Sequence, residues 1–190
     1  MKKYIFLSLL FFAPIFLFSQ EPSPQKSFGG IQVGFFNQSG GILYYHEQKI
    51  SDDFFLRAEG GILTGYANKH LTLGTGFAIQ PRWYYNTEKR QAMGKKTAGN
   101  SANYLGVKTF FSFPNNLYST PNQVSLIFLS DYDKAFRISA EWGIRRRPYK
   151  SFNWELGVGL GYTYFFVPEI RKNDPPLFIN LNLRVGFDLY

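Results

Sequence analysis

From Phe28 to Tyr190, apolar and polar side chains trade places at every second residue, and helical periodicity is almost absent. In 152–165 the even positions read Phe152, Trp154, Leu156, Val158, Leu160, Tyr162 and Tyr164. The odd positions of the same stretch carry Asn153, Glu155, Gly157, Gly159, Gly161, Thr163 and Phe165. In 176–190 the leucine-rich face runs Leu177, Ile179, Leu181, Leu183, Val185, Phe187, Leu189, against Phe178, Asn180, Asn182, Arg184, Gly186 and Asp188. Successive side chains of a strand point to opposite faces, so each stretch is committed to a sheet with one apolar and one polar side. The pattern predicts eight strands, at 28–37, 41–49, 53–66, 71–85, 103–113, 134–146, 152–165 and 176–190.

Two architectures share such alternation. A soluble sandwich or barrel turns its apolar face inward, whereas a membrane barrel turns it outward and fills its lumen with the polar face. Three features favour the second. The apolar face of every clean strand is uncharged. The polar face is a poor water-facing surface, studded with Gly74, Gly76, Gly106, Gly157, Gly159 and Gly161. Small residues beside large ones are what a narrow lumen needs. Finally, aromatics gather at strand ends: Trp83, Tyr85, Trp142, Phe152 and Trp154 toward one rim, and Tyr66, Phe113, Phe136, Tyr162 and Tyr164 toward the other. Membrane barrels carry such girdles at both interfaces. The expected fold class is therefore all-β, an eight-stranded antiparallel up-and-down transmembrane β-barrel. Strands of this length suffice, since a tilted strand crosses a bilayer in ~9–11 residues.

The N-terminus reads as an address. Lys2 and Lys3 precede an apolar run from Tyr4 to Phe18, followed by the polar switch Ser19-Gln20-Glu21. This is the layout of a secretory signal peptide, too short to span as a helix. The expected organisation is a signal peptide over 1–19, a periplasmic leader over 20–27 and the barrel over 28–190. Cleavage after Ser19 or Gln20 removes two lysines, so the net charge of +8 falls to 19 − 13 = +6. The absence of cysteine excludes thiolate chemistry, Cys-ligated metals, disulfides and lipid attachment through Cys.

With the N-terminus periplasmic, outer loops fall near 38–40, 67–70, 114–133 and 166–175, and inner turns near 50–52, 86–102 and 147–151. In these features the chain resembles the small eight-stranded outer-membrane β-barrel proteins of Gram-negative bacteria, of the OmpX and OmpA-transmembrane type. The leader boundary F-S-Q-E and the segment Pro81-Arg82-Trp83-Tyr84-Tyr85-Asn86 are similar to members from Bacteroidota. The ending Val185-Gly186-Phe187-Asp188-Leu189-Tyr190 resembles the terminal-aromatic signal read by the barrel assembly machinery. Its signal residues would be Phe187, Leu189 and Tyr190, with Tyr190 expected on the lumen side because Phe187 and Leu189 share the apolar face. The resemblance implies an outer-membrane location, outer-membrane lipids and the assembly machinery as partners, and a monomer.

The polar faces supply a lumen charge network of Arg57, Glu59, Arg82, Lys108, Arg137, Glu141, Arg145, Glu155, Arg184 and Asp188, joined by Glu47. Buried charges cost several kcal/mol each unless paired. Near-balanced signs in a narrow interior therefore point to interlocked salt bridges filling the barrel, with a narrow anion-preferring pore as the alternative. The aromatic girdle comprises Trp83, Tyr85, Trp142, Trp154, Tyr162 and Tyr164. The two histidines, His46 in the second strand and His70 in an outer loop, show no Ser/His/acid spacing and no metal-ligand spacing. Gly157-Val158-Gly159-Leu160-Gly161 lies within a strand with no helix after it, so it is not a phosphate loop. Two basic clusters, Lys89/Arg90/Lys95/Lys96 and Arg145/Arg146/Arg147/Lys150, map to the periplasmic rim, where they are expected as solvated turns, with anionic headgroups, peptidoglycan or a periplasmic partner as the alternative and nucleic acid excluded by export. The run 123–129 in the long outer segment extends the neighbouring strands above the membrane or folds inward as a cap. The expected role is structural or surface-interacting, without catalysis, cofactor or metal; a narrow pore or small-ligand conduit and a lipid-modifying barrel enzyme are the alternatives.

Overall fold

The computed structural model describes residues 26–36, 39–67, 70–114, 135–166 and 176–190, with backbone alone for 65–67, 70–73 and 114. Eight antiparallel strands close into one up-and-down barrel: β1 Ser27–Phe36, β2 Ser39–Lys49, β3 Phe54–Ala67, β4 His70–Trp83, β5 Asn103–Pro114, β6 Ala135–Arg146, β7 Phe152–Phe165 and β8 Leu177–Asp188. Each strand pairs with its chain neighbour, and β1 pairs with β8 from Gly30↔Asp188 to Phe35↔Leu183. No edge is left open, which is how a barrel escapes unpaired edge groups. The predicted signal peptide, residues 20–25 of the predicted leader and the segment 115–134, with its apolar run, lie outside the described residues, and Ser27 of the leader already opens β1. His70 opens β4 opposite Ala67 rather than lying in a loop, because the β3–β4 ladder runs to the last residue before the turn.

The start of β1 and the end of β8 lie at one rim, here called the near rim. There β2 turns tightly into β3, the Ile50 N–H donating to the Phe54 carbonyl at 2.8 Å. The connection from β4 to β5 is longer and carries a short helix, α1 Thr87–Ala92. It does not hang as a solvated turn. Ser101 and Ala102 are buried, the Ala102 carbonyl accepts from the Arg145 N–H at 2.9 Å, and Asn86 Oδ1 accepts from the Asn103 N–H at 2.8 Å. The segment folds back across the near mouth.

Sidedness follows the alternation. Odd residues of β2 and β3 and even residues of β1, β4, β5 and β8 point inward. The outer wall is apolar and uncovered: Leu160 is 71%, Leu181 53%, Ile179 59% and Val158 44% exposed. Inside, two apolar clusters lie at different heights. Phe28, Tyr45, Phe55, Tyr84, Ala102 and Tyr104 fill the near end, and Phe36, Leu43, Leu63, Ala78 and Phe110 fill the lumen farther up.

The β4–β5 ladder breaks once. Pairing runs from Gly74↔Pro114 to Ile79↔Thr109 and resumes at Arg82↔Gly106. Pro81 sits in the gap, since it has no N–H to give to the ladder. Thr109 Oγ1 donates to the Ile79 carbonyl at 3.1 Å, so a side chain serves one group beside the break.

The C-terminal residue corrects an expectation. Tyr190 does not enter the lumen. Past Asp188 the chain leaves the ladder, and the Tyr190 ring crosses the outer side of β1 over Gly29. Its hydroxyl meets Tyr44 Oη at 2.8 Å and His46 Nδ1 at 3.0 Å, both on the outward face of β2. Strict alternation assumed that the strand continued to its last residue. Gly29 permits the crossing, because a Cβ there would lie 2.6 Å from the Tyr190 hydroxyl.

The lumen glycines set a steric test. A Cβ on Gly143 would approach the Tyr104 ring to 2.3 Å, whereas on outward Gly60 it would meet only the Gly76 carbonyl, at 3.9 Å. Overpacking of a tight interior costs about 1–3 kcal/mol. Gly143→Ala is expected to lower the unfolding midpoint of the folded barrel, and Gly60→Ala to leave it unchanged or raise it slightly. Urea unfolding followed by tryptophan fluorescence compares the two.

Candidate functional site: a charged lattice in the lumen

Between the two apolar clusters the lumen holds ten buried charged side chains among the described residues. Five are cations, Arg57, Arg82, Lys108, Arg145 and Arg184, and five are carboxylates, Glu47, Glu59, Glu141, Glu155 and Asp188. The strands bring them together by register. Glu47 faces Arg57 across β2–β3, and Glu155 stands between Arg145 on β6 and Arg184 on β8.

Glu155 is the hub. Its Oε1 takes Arg145 Nη1 at 2.6 Å and Arg57 Nη1 at 2.7 Å, and its Oε2 takes Arg82 Nη2 at 3.2 Å. Arg57 then spreads outward, with Nε donating to Glu59 at 2.6 Å, Nη2 to Gln32 at 2.6 Å and Nη1 to Glu47 at 3.4 Å. Arg145 also reaches Asp188 Oδ1 at 2.7 Å, and the exposed side of Asp188 meets Arg147 at 3.3 Å. Glu59 ends the chain farther up, held by Lys108 Nζ at 2.8 Å and by Arg184 Nη1. A planar guanidinium with five donors suits this lattice, because one arginine binds several carboxylates at once.

Glu141 is handled differently. Its oxygens accept from neutral donors: Gln80 at 2.9 Å, Asn182 at 3.1 Å, Ser139 at 3.0 Å, and Asn180. Aromatic faces complete the shell. Arg57 lies 4.0 Å from the Tyr45 ring centroid and Arg82 4.0 Å from that of Tyr104. Such stacking is strongest where water is excluded. Tyr84 donates to Glu47 at 2.7 Å, and Asn100 of the near-mouth connection donates to the same oxygen at 2.8 Å.

Of the residues expected in the network, all but Arg137 are buried within it. Arg137 faces the lumen from β6 at a higher level, half-buried, with its guanidinium 5.9 Å from the Phe110 ring. The basic cluster at 145–150 splits: Arg145 belongs to the lattice, Arg147 to its mouth, and Arg146 points to the outer wall. The neutral partners were less visible from sequence. Gln32, Gln80, Asn153, Asn180 and Asn182 all sit on polar faces, but only three-dimensional register reveals which carboxylate each one serves. Tyr45 was hidden because a tyrosine reads as apolar. Here its hydroxyl joins Asp188 and accepts from Arg145 Nη2 at 2.8 Å.

On the outer wall the girdle residues Trp83, Tyr85, Tyr162 and Tyr164 are exposed, at 42%, 40%, 49% and 56%, and Trp154 is half-buried. Trp142 lies four residues inside the end of β6, yet its Nε1 donates to Tyr85 Oη at 2.9 Å, tying it to the near rim. Among the described residues no three His, Asp or Glu side chains are grouped to hold a metal ion. The chain matches no protein-family model, no curated protein and no solved structure.

In this lattice the buried charges take one another as partners. Removing one partner of a buried pair typically costs about 3–5 kcal/mol, because the other charge is stranded. Glu155→Gln removes the negative charge that three guanidiniums share. It is expected to lower the unfolding midpoint in detergent clearly while leaving planar bilayers non-conducting. A water-filled lumen would give the opposite pair of results, near-native stability and altered ion selectivity.

Proposed function

We propose that the chain is an integral outer-membrane barrel of the small OmpX and OmpA-transmembrane type, exported by its N-terminal signal. Its role is non-enzymatic: the barrel is a sealed, rigid support for segments displayed at its rims. One observation carries this reading, the inverted polarity of the molecule. Ten charges are buried inside while leucine, isoleucine and valine stand uncovered outside. In water the reverse arrangement is favoured, since apolar surface gains about 25 cal/mol per Å² on burial. In a bilayer the same arrangement satisfies both phases: lipid covers the wall, and the lattice neutralises the interior. The strands, 10 to 14 residues long, are sufficient to cross.

The filled lumen argues against the pore alternative. For the enzyme alternative, the nearest grouping of the right residue types is Ser27 Oγ at 3.5 Å from His46 Nε2, with Tyr190 rather than a carboxylate on the other ring nitrogen. That distance is long for an activated serine, and among the described residues no acid hydrogen-bonds the His46 ring to complete a relay. A surface-interaction role fits the rim segments better than either.

Two measurements test the reading. Folded barrels in detergent migrate faster on gels unboiled than boiled; the unheated protein is expected to show that shift and to fractionate with outer membranes. An unshifted band and a soluble periplasmic protein would refute it. The lipid wall also predicts depth dependence. Leu181→Arg, at mid-strand, is expected to cost about 2–4 kcal/mol or block assembly, and Leu177→Arg, at the rim, about 0–1 kcal/mol. A water-facing wall would accept both without loss.

A further inference from the structure

The outer wall carries a feature that a uniform lipid-facing surface does not need. A groove of about 850 Å³ runs along it beside the β4–β5 break, floored by Pro81, Val107, Ala140 and Val158 and walled toward the near rim by Trp83 and Trp142. The hollow is apolar and open to the outside.

At its near end the groove meets unneutralised positive charge. Trp142 donates to Tyr85, and Asn103 Nδ2 lies 3.5 Å from the same hydroxyl. Asn103 Oδ1 in turn accepts from Arg146 Nη2 at 2.8 Å, while Arg146 Nη1 is held by the Arg145 carbonyl at 2.7 Å. These bonds fix a half-buried guanidinium at the outward rim. The Arg90 guanidinium of α1 stands close enough to repel it, and among the described residues no carboxylate offsets that repulsion. Arg90 is itself held by a bond to the Lys96 carbonyl at 3.2 Å, and its Nε is buried with no hydrogen-bond partner. Every arginine of the lumen lattice has a carboxylate within reach; among the described residues Arg146 on the wall and Arg90 on α1 have no ion-pair partner. Two fixed like charges and an orphan buried donor are costly unless an anion joins them.

We infer that this is a binding site for an anionic phospholipid, with its phosphate at Arg146 and Arg90 and one acyl chain in the groove. A phosphate offers oxygens to two guanidiniums at once. Trp83, Trp142 and Tyr85 lie between the two parts, at the level of the glycerol backbone, where aromatic side chains settle in membranes. The site rests on the membrane reading above and adds to it a preferred lipid and a leaflet, the one facing the chain termini.

The test uses the full chain folded into phosphatidylcholine vesicles containing phosphatidylglycerol, with bromine on the acyl chains of one lipid or the other. The chain has three tryptophans, so Trp154→Phe leaves Trp83 and Trp142, the two at the groove, as reporters. Brominated phosphatidylglycerol is expected to quench them with an association constant about fivefold or more above that of brominated phosphatidylcholine, the weight of one interfacial cation. Arg90→Gln and Arg146→Gln should each bring the ratio toward one, and Arg90→Lys should keep most of it. Arg90 lies on a helix outside the barrel, so its variants fold independently of the wall. Equal quenching by the two lipids, or a preference unchanged in both glutamine variants, overturns the site. So does inorganic phosphate that shifts the fluorescence while lipid headgroup makes no difference, since that is a free-anion site. The gel shift on the same vesicles separates the levels: an unshifted wild type removes the membrane reading and the site together, and a shifted one without lipid preference removes the site alone.

Discussion

Eight strands enclose a space only as wide as the side chains that line it. Whatever points inward must be satisfied by other inward side chains, because there is no room for bulk water to do so. The interior of this barrel meets that constraint with charge balance. Five carboxylates face five cations, and one of them, Glu155, stands where three arginines from three strands converge. The alternative, an apolar lumen, would need the wall to be polar and would return the fold to the soluble class. Once the outer wall is apolar, polarity has to go inside, and inside it has to be paired.

The apolar clusters above and below the lattice raise the strength of those pairs. Phe28, Phe55 and Tyr104 on one side and Phe36, Leu63 and Phe110 on the other keep water from both ends, which lowers the effective dielectric between them. The near-mouth connection adds to the seal: it lends Asn100 to Glu47 and the Gly99 carbonyl to Arg145 Nε at 2.9 Å. Its length follows from this. A two-residue turn would close the β4–β5 hairpin but could not reach across the mouth.

The strand frame was legible in the sequence, because period two survives any sheet geometry. Predicted and observed strand ends differ by at most two residues, as at Tyr85 against Trp83 and at Tyr190 against Asp188. The signs on the inward face were legible for the same reason. Three things were not. Partner choice depends on inter-strand register, which alternation leaves open, so the Glu141 amide cage had no signature. The hydroxyls of Tyr45, Tyr84 and Tyr104 work inside the lattice, although alternation gave no sign of which charges they would meet. Tyr190 followed the strand phase only as long as the strand lasted. By contrast, the segment Pro81-Arg82-Trp83-Tyr84-Tyr85-Asn86 gains a physical account residue by residue. It opens the ladder, enters the lattice, faces outward, binds Glu47, anchors Trp142 and clasps the start of β5.

The central claim is that the lumen is a dry, coupled lattice rather than a set of independently hydrated charges. A double-mutant cycle on Glu155 and Arg145, which meet at 2.6 Å, measures that coupling directly. Glu155→Gln, Arg145→Met and the double variant would be unfolded reversibly under matched conditions in detergent or vesicles. Contacting residues in one network couple by about 0.5–3 kcal/mol. The lattice predicts a value in the upper part of that range, at about 2 kcal/mol or more, with the double variant more stable than the sum of the single losses allows. Additive effects, with a coupling below about 0.5 kcal/mol, would mean that water already screens the pair and would contradict a sealed lumen.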